Sequence, residues 1–298
     1  MLTYVRVGFV AGFTAIQLCG SLHAASTASV VLHDSNRNRD VPVKVFYPSK
    51  AGSFPLIVFS HGFGGTKDGY EYLGNGWADS GYIVILPTHF GSDHDAFLEV
   101  GGKTARDPAA SFELQRQRIA DVSLVLSLLD KIEQQVPDVR GQVDRQHVGV
   151  GGHSMGAGTA MLVGGATASS PKGAMQSFRD DRVKAIVAMS PQGPGEEGFG
   201  ERSWDHIDIP VMTMSGTRDG GIGGQPPSWR VEAFNHMPSG DKYQVTVNGA
   251  EHLSFAIGFR FHPCIVRESI AFWDVYLKGE SSAKQRIANF GACQLSSK

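Results

Sequence analysis

A serine between two glycines stands where the chain could expose a nucleophile. Residues 152–156 read Gly-His-Ser-Met-Gly, directly after an apolar run and directly before a stretch of small residues that can form a helix. A serine hydroxyl is a weak nucleophile that must be exposed beside a base, and a sharp strand-to-helix turn achieves this only when its flanking residues lack bulk. The turn would also place Ser154 at a helix N-terminus, where the helix dipole favours developing negative charge. Ser154 is therefore the candidate nucleophile, and the alternative is an incidental serine in a glycine-rich turn.

A serine nucleophile needs a base and an acid that orients this base. Asp219 follows an apolar run and a glycine turn, and His252 stands on the loop after the last run of this kind. The chain order of serine, acid and histidine, each after a separate strand, predicts that all three meet at one edge of a sheet. Asp205 and Asp208 are the alternative acids, but both precede their strand rather than follow it.

Acyl transfer also needs N–H donors for the oxyanion. Residues 59–65 read Phe-Ser-His-Gly-Phe-Gly-Gly after a buried-strand pattern, and such a loop can turn its amides towards the nucleophile. We predict the main-chain N–H groups of Phe63 and Met155 as the donors, the alternative being a flexible loop. We interpret His61 and His153 as structural hydrogen-bonding residues rather than bases.

Two polar loops are candidate walls of a substrate pocket. Residues 91–108 and 191–208 follow predicted strands without a helical pattern, and loops at the carboxyl ends of parallel strands surround the ligand crevice. We expect a pocket lined by Phe63, Met155 and Gln192, with mixed walls that favour short acyl chains. Residues 88–95 contain side chains that could bind a metal, but crowded polar loops often carry such side chains without an ion, so we predict no metal site.

Strands and helices alternate along the chain, which predicts a doubly wound, mostly parallel α/β sheet with helices on both faces. No linker or repeat divides residues 29–298, so we expect a single domain. Strand patterns occur at residues 41–47, 55–60, 82–86, 147–151, 183–189, 211–215 and 243–247, and helical patterns at 68–80, 110–136, 156–163, 229–237 and 265–277.

Composition limits the class of partner. The chain has 298 residues, 41% of them hydrophobic, and 27 Lys and Arg against 29 Asp and Glu give a net charge of −2. A chain of this kind can bury a full core, and its weak charge would not attract a nucleic acid or an anionic membrane. Small or polymeric neutral substrates fit better, and composition does not determine the oligomeric state.

The N-terminus has the features of a secretory signal peptide. Residues 1–24 carry one cation, Arg6, and an apolar run over residues 7–18 that is too short to span about 30 Å of hydrocarbon. We predict cleavage between residues 24 and 28 and a secreted or periplasmic protein without stable membrane insertion. The alternatives are an uncleaved anchor and a lipoprotein modified at Cys19, although Leu18 is larger than lipoprotein processing normally accepts.

Cleavage would leave two cysteines, Cys264 and Cys293. In an oxidising compartment the simplest interpretation is one disulfide bond between them. The alternative is a pair of buried free thiols.

Over residues of about 40–295 the chain resembles the α/β-hydrolase family. Within it, the chain is most similar to the secreted branch that groups chlorophyllase-like, platelet-activating-factor acetylhydrolase-like, dienelactone-hydrolase-like and cutinase-like polyester hydrolases. The resemblance rests on residues 152–156, the loop at residues 61–63, Asp219, residues 249–252 and the C-terminal cysteine pair. It implies hydrolysis of carboxylic esters through an acyl-enzyme, with no cofactor. Dienelactone hydrolases use cysteine where this chain has Ser154, so their lactone chemistry is not implied.

Two departures from the family pattern bear on the substrate. Polyester-degrading cutinases usually carry a tryptophan where this chain continues Gln-Gly-Pro-Gly at residues 192–195, and residues 191–208 are too few for the lid of a typical lipase. We therefore predict a serine esterase without a large lid domain that acts on short-chain or small esters. The alternatives are a cutinase-like polyester hydrolase, an amide or peptide hydrolase, and a non-catalytic binding module.

Overall fold

The computed structural model describes residues 25–101 and 107–298. Residues 1–24, which the sequence predicts as a signal peptide, and residues 102–106 of the loop 91–108 lie outside the described residues. The strands are β1 Ser26–Asp34, β2 Arg39–Tyr47, β3 Phe54–Ser60, β4 Ile83–Pro87, β5 Val143–His153, β6 Thr167–Ser169, β7 Met175–Ser177, β8 Val183–Met189, β9 Val211–Gly216, β10 Lys242–Val247 and β11 Cys293–Ser297. The α-helices are α1 Glu71–Asp79, α2 His94–Val100, α3 Pro108–Ser127, α4 Leu129–Gln135, α5 Met155–Val163, α6 Glu232–His236, α7 Ser254–Ile257 and α8 His262–Tyr276, and 3-10 turns span Pro137–Val139, Pro227–Val231 and Ser281–Arg286.

Within the described residues, nine strands form one sheet in the order β1-β2-β4-β3-β5-β8-β9-β10-β11. The six strands from β4 to β10 in this order pair in parallel, whereas β1, β2 and β11 pair antiparallel at the two edges. Every residue of β3 is buried, as expected for a strand that helices cover on both faces. The prediction of a mostly parallel, doubly wound sheet is confirmed.

The sheet separates the apolar core into two halves, since alternate residues of β3 belong to different halves and helices cover both faces. One half contains Phe112 and Val122 of α3 and the buried residues of α5. The other contains Trp77 of α1 and Trp273 of α8, whose rings meet edge to face at 5.9 Å. No helix within the described ranges is long and apolar enough to span a bilayer.

The parallel arrangement decides where the candidate site lies. Strands β5, β8, β9 and β10 are consecutive neighbours in the sheet, so the loops at their carboxyl ends open at one edge. Ser154 follows β5, Asp219 lies just beyond β9, and His252 lies just beyond β10. At the far edge, a disulfide bond between Cys264 and Cys293 ties helix α8 to strand β11.

Candidate active site

Ser154 occupies a tight turn between β5 and α5. Its backbone has φ 55° and ψ −121°, a left-handed conformation that non-glycine residues rarely adopt. A Cβ at Gly152 would lie 2.0 Å from the carbonyl oxygen of Gly156, and a Cβ at Gly156 would lie 2.0 Å from that of Ser60. Three backbone segments pass so close together here that only glycine fits at these two positions. This close packing supports the sharp turn that exposes Ser154.

The side chains of Ser154, His252 and Asp219 form one hydrogen-bonded chain. Ser154 Oγ lies 2.9 Å from His252 Nε2, and His252 Nδ1 lies 3.0 Å from Asp219 Oδ1. Asp219 is fully buried, whereas about a quarter of the His252 side chain is exposed. This geometry lets Nδ1–H donate to the carboxylate while Nε2 accepts the serine proton.

Asp219 is held in place by groups besides the histidine. Its Oδ2 accepts a short hydrogen bond from the hydroxyl of Ser190, and the buried Arg230 forms an ion pair with Oδ1 at 3.3 Å. Burial alone would raise the pKa of this carboxyl, but the hydrogen bond from His252 and the guanidinium of Arg230 together hold its pKa below the usual value. The acid is therefore charged at neutral pH and fixed in orientation.

The two alternative acids lie away from this chain of hydrogen bonds. Asp205 pairs with Arg202 at 3.0 Å, and the exposed Asp208 pairs with Arg179 at 2.6 Å. Both residues precede strand β9, so they lie at the end of the sheet opposite Ser154.

The loop that contains Phe63 is oriented by a buried guanidinium. Arg118 of α3 donates to the carbonyl oxygens of His61 at 2.5 Å and Gly62 at 3.4 Å, and the N–H of Gly65 also donates to Gly62 O at 3.0 Å. The C=O and N–H of a trans peptide point in opposite directions. The N–H of Phe63 therefore points away from Arg118, towards the side on which Phe63 lines a cavity with Ser154.

The second predicted donor, Met155, is the first residue of α5. The first N–H groups of a helix have no partner within the helix and point out of its N-terminal end. Met155 lines the same cavity as Ser154 and Phe63. Both predicted oxyanion donors therefore belong to residues that line the cavity beside Ser154, and the binding of an oxyanion by their N–H groups stays a prediction.

His153 and His61 form structural hydrogen bonds. His153 Nε2 lies 3.0 Å from the carbonyl oxygen of His252, and its Nδ1 lies 2.7 Å from the hydroxyl of Tyr70. Burial lowers the pKa of His153 well below its usual value, so the ring is neutral, donates from Nε2 and accepts from Tyr70. His61 Nδ1 lies 2.6 Å from Gly62 O, and its Nε2 accepts from the N–H of His89 at 3.0 Å.

The segment 88–95 contributes to the architecture around the site. His89 is fully buried between Ser60 Oγ at 2.9 Å and Asp121 Oδ2 at 2.9 Å, and burial lowers its pKa to about 4. Asp93 accepts a hydrogen bond from the N–H of Ala96 at the start of α2. Within residues 25–101 and 107–298, no group of three or more His, Cys, Asp or Glu side chains is arranged to hold a metal ion.

Two cavities of different character meet at Ser154. A smaller cavity of about 130 Å³ has a mixed lining, and we call it the polar cavity because Gln192, Glu196, Glu197 and Arg230 lie in its wall. Its other lining residues are Phe63, Ser154, Met155, Ile222, Gly223 and Trp229. A larger groove of about 600 Å³ is mostly apolar and includes Phe97, Ile222, Leu253, Ala256 and Ile257 beside His252. The sequence predicted mixed walls formed by Phe63, Met155 and the two polar loops, and it did not anticipate this apolar groove beside His252. The physical reason is the segment after His252, in which Leu253 precedes helix α7 and contributes to this groove together with Ala256 and Ile257 of the helix.

An aromatic ring lines the polar cavity, but it does not come from residues 192–195, where the pattern of polyester-degrading cutinases has a tryptophan. Trp229, in the 3-10 turn after β9, donates its indole N–H to the carbonyl oxygen of Pro194 at 3.0 Å. A Cβ at Gly193 would lie 2.4 Å from the backbone oxygen of Trp229. The glycine at position 193 thus lets Trp229 approach the loop 191–208.

Sequence reasoning missed three charged residues of the site: Arg118, Arg230 and Glu197. For Arg118 a signal existed, because Gln115 and Arg118 occupy positions on α3 that face the core with Phe112 and Val122. Polar residues at apolar positions of a helix indicate a buried network. Arg230 and Glu197 gave no comparable signal, because they lie on irregular segments without periodicity.

The mostly parallel sheet, the sharp serine turn and the Ser-His-Asp geometry at its carboxyl edge define an α/β-hydrolase. The chain belongs to the PET hydrolase-like family, whose family model matches residues 35–290.

Curated relatives match with low identity. The chain is 25% identical over 233 residues to Cutinase est1 of Thermobifida alba, covering 78% of this chain and 62% of that protein. It is 28% identical over 241 residues to the platelet-activating factor acetylhydrolase of Bos taurus, covering 70% and 49%. It is 22% identical over 213 residues to the bis(hydroxyethyl) terephthalate hydrolase of Streptomyces coelicolor, covering 70% and 54%. The chain therefore spans about half to three fifths of the length of these relatives.

Proposed function

We propose that the protein is a serine-dependent carboxylic ester hydrolase. The observation that carries the proposal is the hydrogen-bonded chain from Ser154 Oγ through His252 to the buried Asp219. The family membership supports it, and so do the relatives, which are named as a cutinase, a platelet-activating factor acetylhydrolase and a bis(hydroxyethyl) terephthalate hydrolase.

Each step of the reaction follows from this geometry. Ser154 Oγ attacks the ester carbonyl while His252 Nε2 takes its proton, and Asp219 stabilises the imidazolium that results. The N–H groups of Phe63 and Met155 stabilise the oxyanion. When the tetrahedral intermediate collapses, His252 returns the proton to the leaving alcohol. A water molecule, activated by the same histidine, then releases the acid from the acyl-enzyme.

We further propose that the protein is exported, with residues 1–24 removed as a signal peptide. The disulfide bond between Cys264 and Cys293 supports this proposal, because such bonds persist in oxidising compartments.

A polyester is the second candidate substrate. The groove beside His252 is bordered by exposed apolar side chains, among them Ile222, Leu253 and Ile257, which are 67%, 60% and 64% exposed. Such a rim can contact an apolar chain that extends beyond the reacting ester. Release of soluble acid from a thin polyester film, compared with hydrolysis of a soluble ester, tests this second candidate.

The variant Ser154→Ala tests the main proposal. We expect the folded variant to lose several orders of magnitude in turnover of p-nitrophenyl butyrate, as loss of a triad member does elsewhere. A fluorophosphonate probe should label the wild type and not the variant. Circular dichroism would establish that the variant is folded, and retention of most activity by the folded variant would exclude Ser154 from the mechanism.

Amide and ester analogues with the same acyl group separate the remaining alternatives. Faster cleavage of the ester is expected, because an amine leaving group needs more protonation than an alcohol. Preferred cleavage of the amide would favour a peptide or amide hydrolase, and absence of both labelling and turnover would favour a binding module.

A further inference from the structure

The polar cavity beside Ser154 has an acidic wall that the hydrolysis of a simple ester does not use. Glu197 lies in this wall, and both of its carboxylate oxygens accept hydrogen bonds. Gln115 Nε2 donates to Oε2 at 2.6 Å, and Gln192 Nε2 donates to Oε1 at 2.7 Å. The carboxylate is thus fixed in place at the cavity by two amides.

Gln192 is left with an unsatisfied acceptor. Its side chain lines the cavity and is 8% exposed, and its Oε1 has no hydrogen-bond partner among the residues that the structure describes. A buried polar atom without a partner is unfavourable and rare in native structures. An acceptor in the cavity wall, next to a fixed carboxylate, indicates that a bound molecule supplies a hydrogen-bond donor there.

The charge of the cavity favours a cationic donor. Glu196 and Glu197 both line the cavity, and Arg230 is the only cation among the described residues that line it. The guanidinium of Arg230 is engaged by Asp219 and by the backbone oxygens of Ser190, Pro191 and Gly220. Asp219 therefore balances Arg230, and the nearby Arg118, which is not part of the lining, acts on Glu197 with its positive charge. When both glutamates are ionised, the carboxylate of Glu196 leaves the cavity with a net negative charge.

The position of His252 decides which part of an ester enters this cavity. The leaving oxygen must lie close to His252 Nε2 to receive its proton. His252 lines the apolar groove and is absent from the lining of the polar cavity. The alcohol therefore extends into the groove, and the acyl group extends into the polar cavity with Met155 and Glu197.

We propose that Glu197 and Gln192 make this acyl cavity selective for small acyl groups that carry a protonated amine, and against acyl groups that carry a carboxylate. The inference rests on the proposed ester hydrolysis at Ser154 and adds the chemical class of its acyl group. The ammonium would donate to Gln192 Oε1 and Glu197, and it would meet the negative charge of Glu196.

The titration of Glu197 supports the same selectivity. Burial raises its pKa to about 7, against the opposing effects of the hydrogen bond from Gln115 and the positive charges of Arg118 and Arg230, while Glu196 raises it further. The carboxyl therefore gains its charge as the pH rises through about 7. A primary alkyl ammonium keeps its proton over this range, so its attraction to the cavity should increase with pH.

Three ethyl esters of similar size and identical leaving group provide the test: ethyl butanoate, ethyl 3-aminopropanoate and monoethyl malonate. The measured quantity is the ratio of kcat/KM for the charged ester to that for ethyl butanoate, in the wild type and in Glu197→Gln. Differences in intrinsic reactivity cancel when the ratios of two enzymes are compared. The matched control is Glu201→Gln, which removes an exposed carboxylate from the same loop.

We expect Glu197→Gln to lower the ratio for the ammonium ester about tenfold and to raise the ratio for the malonate ester, as loss of a nearby charge in a partly buried site does. Glu201→Gln should leave both ratios unchanged. The wild-type ratio for the ammonium ester should increase from pH 6 to pH 8, and the ratio of Glu197→Gln should not. Gln192→Leu is a second variant that keeps the carboxylate and should also lower the ratio for the ammonium ester.

Suppose that Glu197→Gln and Gln192→Leu still hydrolyse ethyl butanoate and have the same ratios as the wild type. This result would overturn the proposed selectivity and leave the proposed esterase function standing. Failure of the wild type to hydrolyse any of the three esters faster than Ser154→Ala would overturn the proposed function and the selectivity with it.

Discussion

Asp219 shows how a single residue is adapted to orient a base. One of its oxygens faces His252 and Arg230, and the other accepts from Ser190, so the carboxylate cannot rotate without losing a buried hydrogen bond. Its full burial excludes water that would compete for the histidine.

Asp219→Asn should lower kcat/KM on p-nitrophenyl butyrate by about 10⁴ while the protein stays folded. The asparagine amide would favour the wrong tautomer of His252, because its NH₂ group donates where the carboxylate accepted. Steady-state kinetics on Asp205→Asn and Asp208→Asn provide the control, and both should keep wild-type activity. A large loss in either control variant, with activity retained in Asp219→Asn, would assign the orienting role to another acid.

Arg118 is a positioning residue, since its contacts reach the oxyanion loop and not the reacting atoms. Burial lowers its pKa to about 10, so the guanidinium remains charged at neutral pH. It donates to the carbonyl oxygens of His61 and Gly62, and its Nε donates to the hydroxyl of Ser92 at 2.9 Å.

Arg118→Met should therefore lower kcat by about 10² to 10³ with a smaller change in KM, as expected when one oxyanion donor is misaligned. Arg118→Lys should recover part of kcat, because the ammonium can still reach one carbonyl oxygen. The control is Arg116→Met on the exposed side of the same helix, whose guanidinium pairs with Glu113. A folded Arg118→Met enzyme with wild-type kcat would show that the loop is oriented without this residue.

At the scale of elements, the central strands were predictable because helices cover both of their faces. Such strands contain continuous apolar runs, and β3, β4 and β8 match the predicted residues closely. The edge strands β1 and β11 were missed, because one face or one edge of each meets solvent and their sequences are largely polar or alternating. Helix α2 was also missed, because its sequence is short and mixes polar with apolar residues. Its start is marked by the capping side chain of Asp93.

The placement of the three candidate catalytic residues could be predicted from the sequence, but the residues that hold them in position could not. Ser154, Asp219 and His252 each follow a strand, so topology alone brings them to one edge. The groups that fix them come from segments distant in the chain, such as Arg118 on α3 and Arg230 in a 3-10 turn.

The predicted helix over residues 110–136 is divided at Leu128 into α3 and α4, beside a hydrogen bond from Ser127 Oγ to the carbonyl oxygen of Ser123. Such a bond competes with the helical backbone and bends helices.

The network that joins β3, β4 and α3 predicts a pH dependence of stability. His89 is buried between Ser60 and Asp121, and burial lowers its pKa to about 4, below the usual 6.5. Between these values the unfolded chain binds a proton that the folded protein excludes. Stability is therefore lost as the pH falls from about 6.5 towards 4, with a contribution on the order of 3 kcal/mol from this group. Burial shifts the pKa of His61 and His153 in the same direction.

Urea unfolding at pH 7.0 and pH 4.5 measures this effect in the wild type and in His89→Gln. The glutamine amide can donate to Asp121 and accept from Ser60 but does not titrate. We expect the free energy of unfolding of His89→Gln to fall less between the two pH values, even if the variant is less stable at pH 7.0. Equal losses in both proteins would show that His89 does not contribute.

At the scale of the whole molecule, the parallel sheet places the site at the carboxyl ends of its strands, and the disulfide bond lies at the start of β11. The bond between Cys264 and Cys293 closes a loop of 29 residues that contains most of α8, one of the helices that cover the sheet. In the chain-entropy model a loop of this length contributes about 3.5 kcal/mol to stability. Within the described residues, β11 pairs in the sheet with β10 alone, so the disulfide bond gives this edge strand a second attachment.

The shape of the site predicts the preferred acyl length. Residues 191–208 form a short loop, and among the described residues Ser154 lines both the polar cavity and the open groove, so we expect soluble substrates to reach it without displacing a lid. The acyl cavity has a volume of about 130 Å³, and Glu196, Glu197 and Trp229 are among its lining residues. A long acyl chain would leave most of its methylenes outside the cavity and would lose about 0.8 kcal/mol for each one that stays in water.

We therefore expect acetyl to hexanoyl esters of p-nitrophenol to exceed the palmitoyl ester in kcat/KM, with simple saturation kinetics for the soluble substrates. Rates measured below and above the critical micelle concentration of each ester test the absence of interfacial activation. A sharp increase in rate above this concentration, with the palmitoyl ester hydrolysed best, would mean that the acyl chain follows the apolar groove along Leu253 and Ile257 and that the assignment of the two cavities must be exchanged.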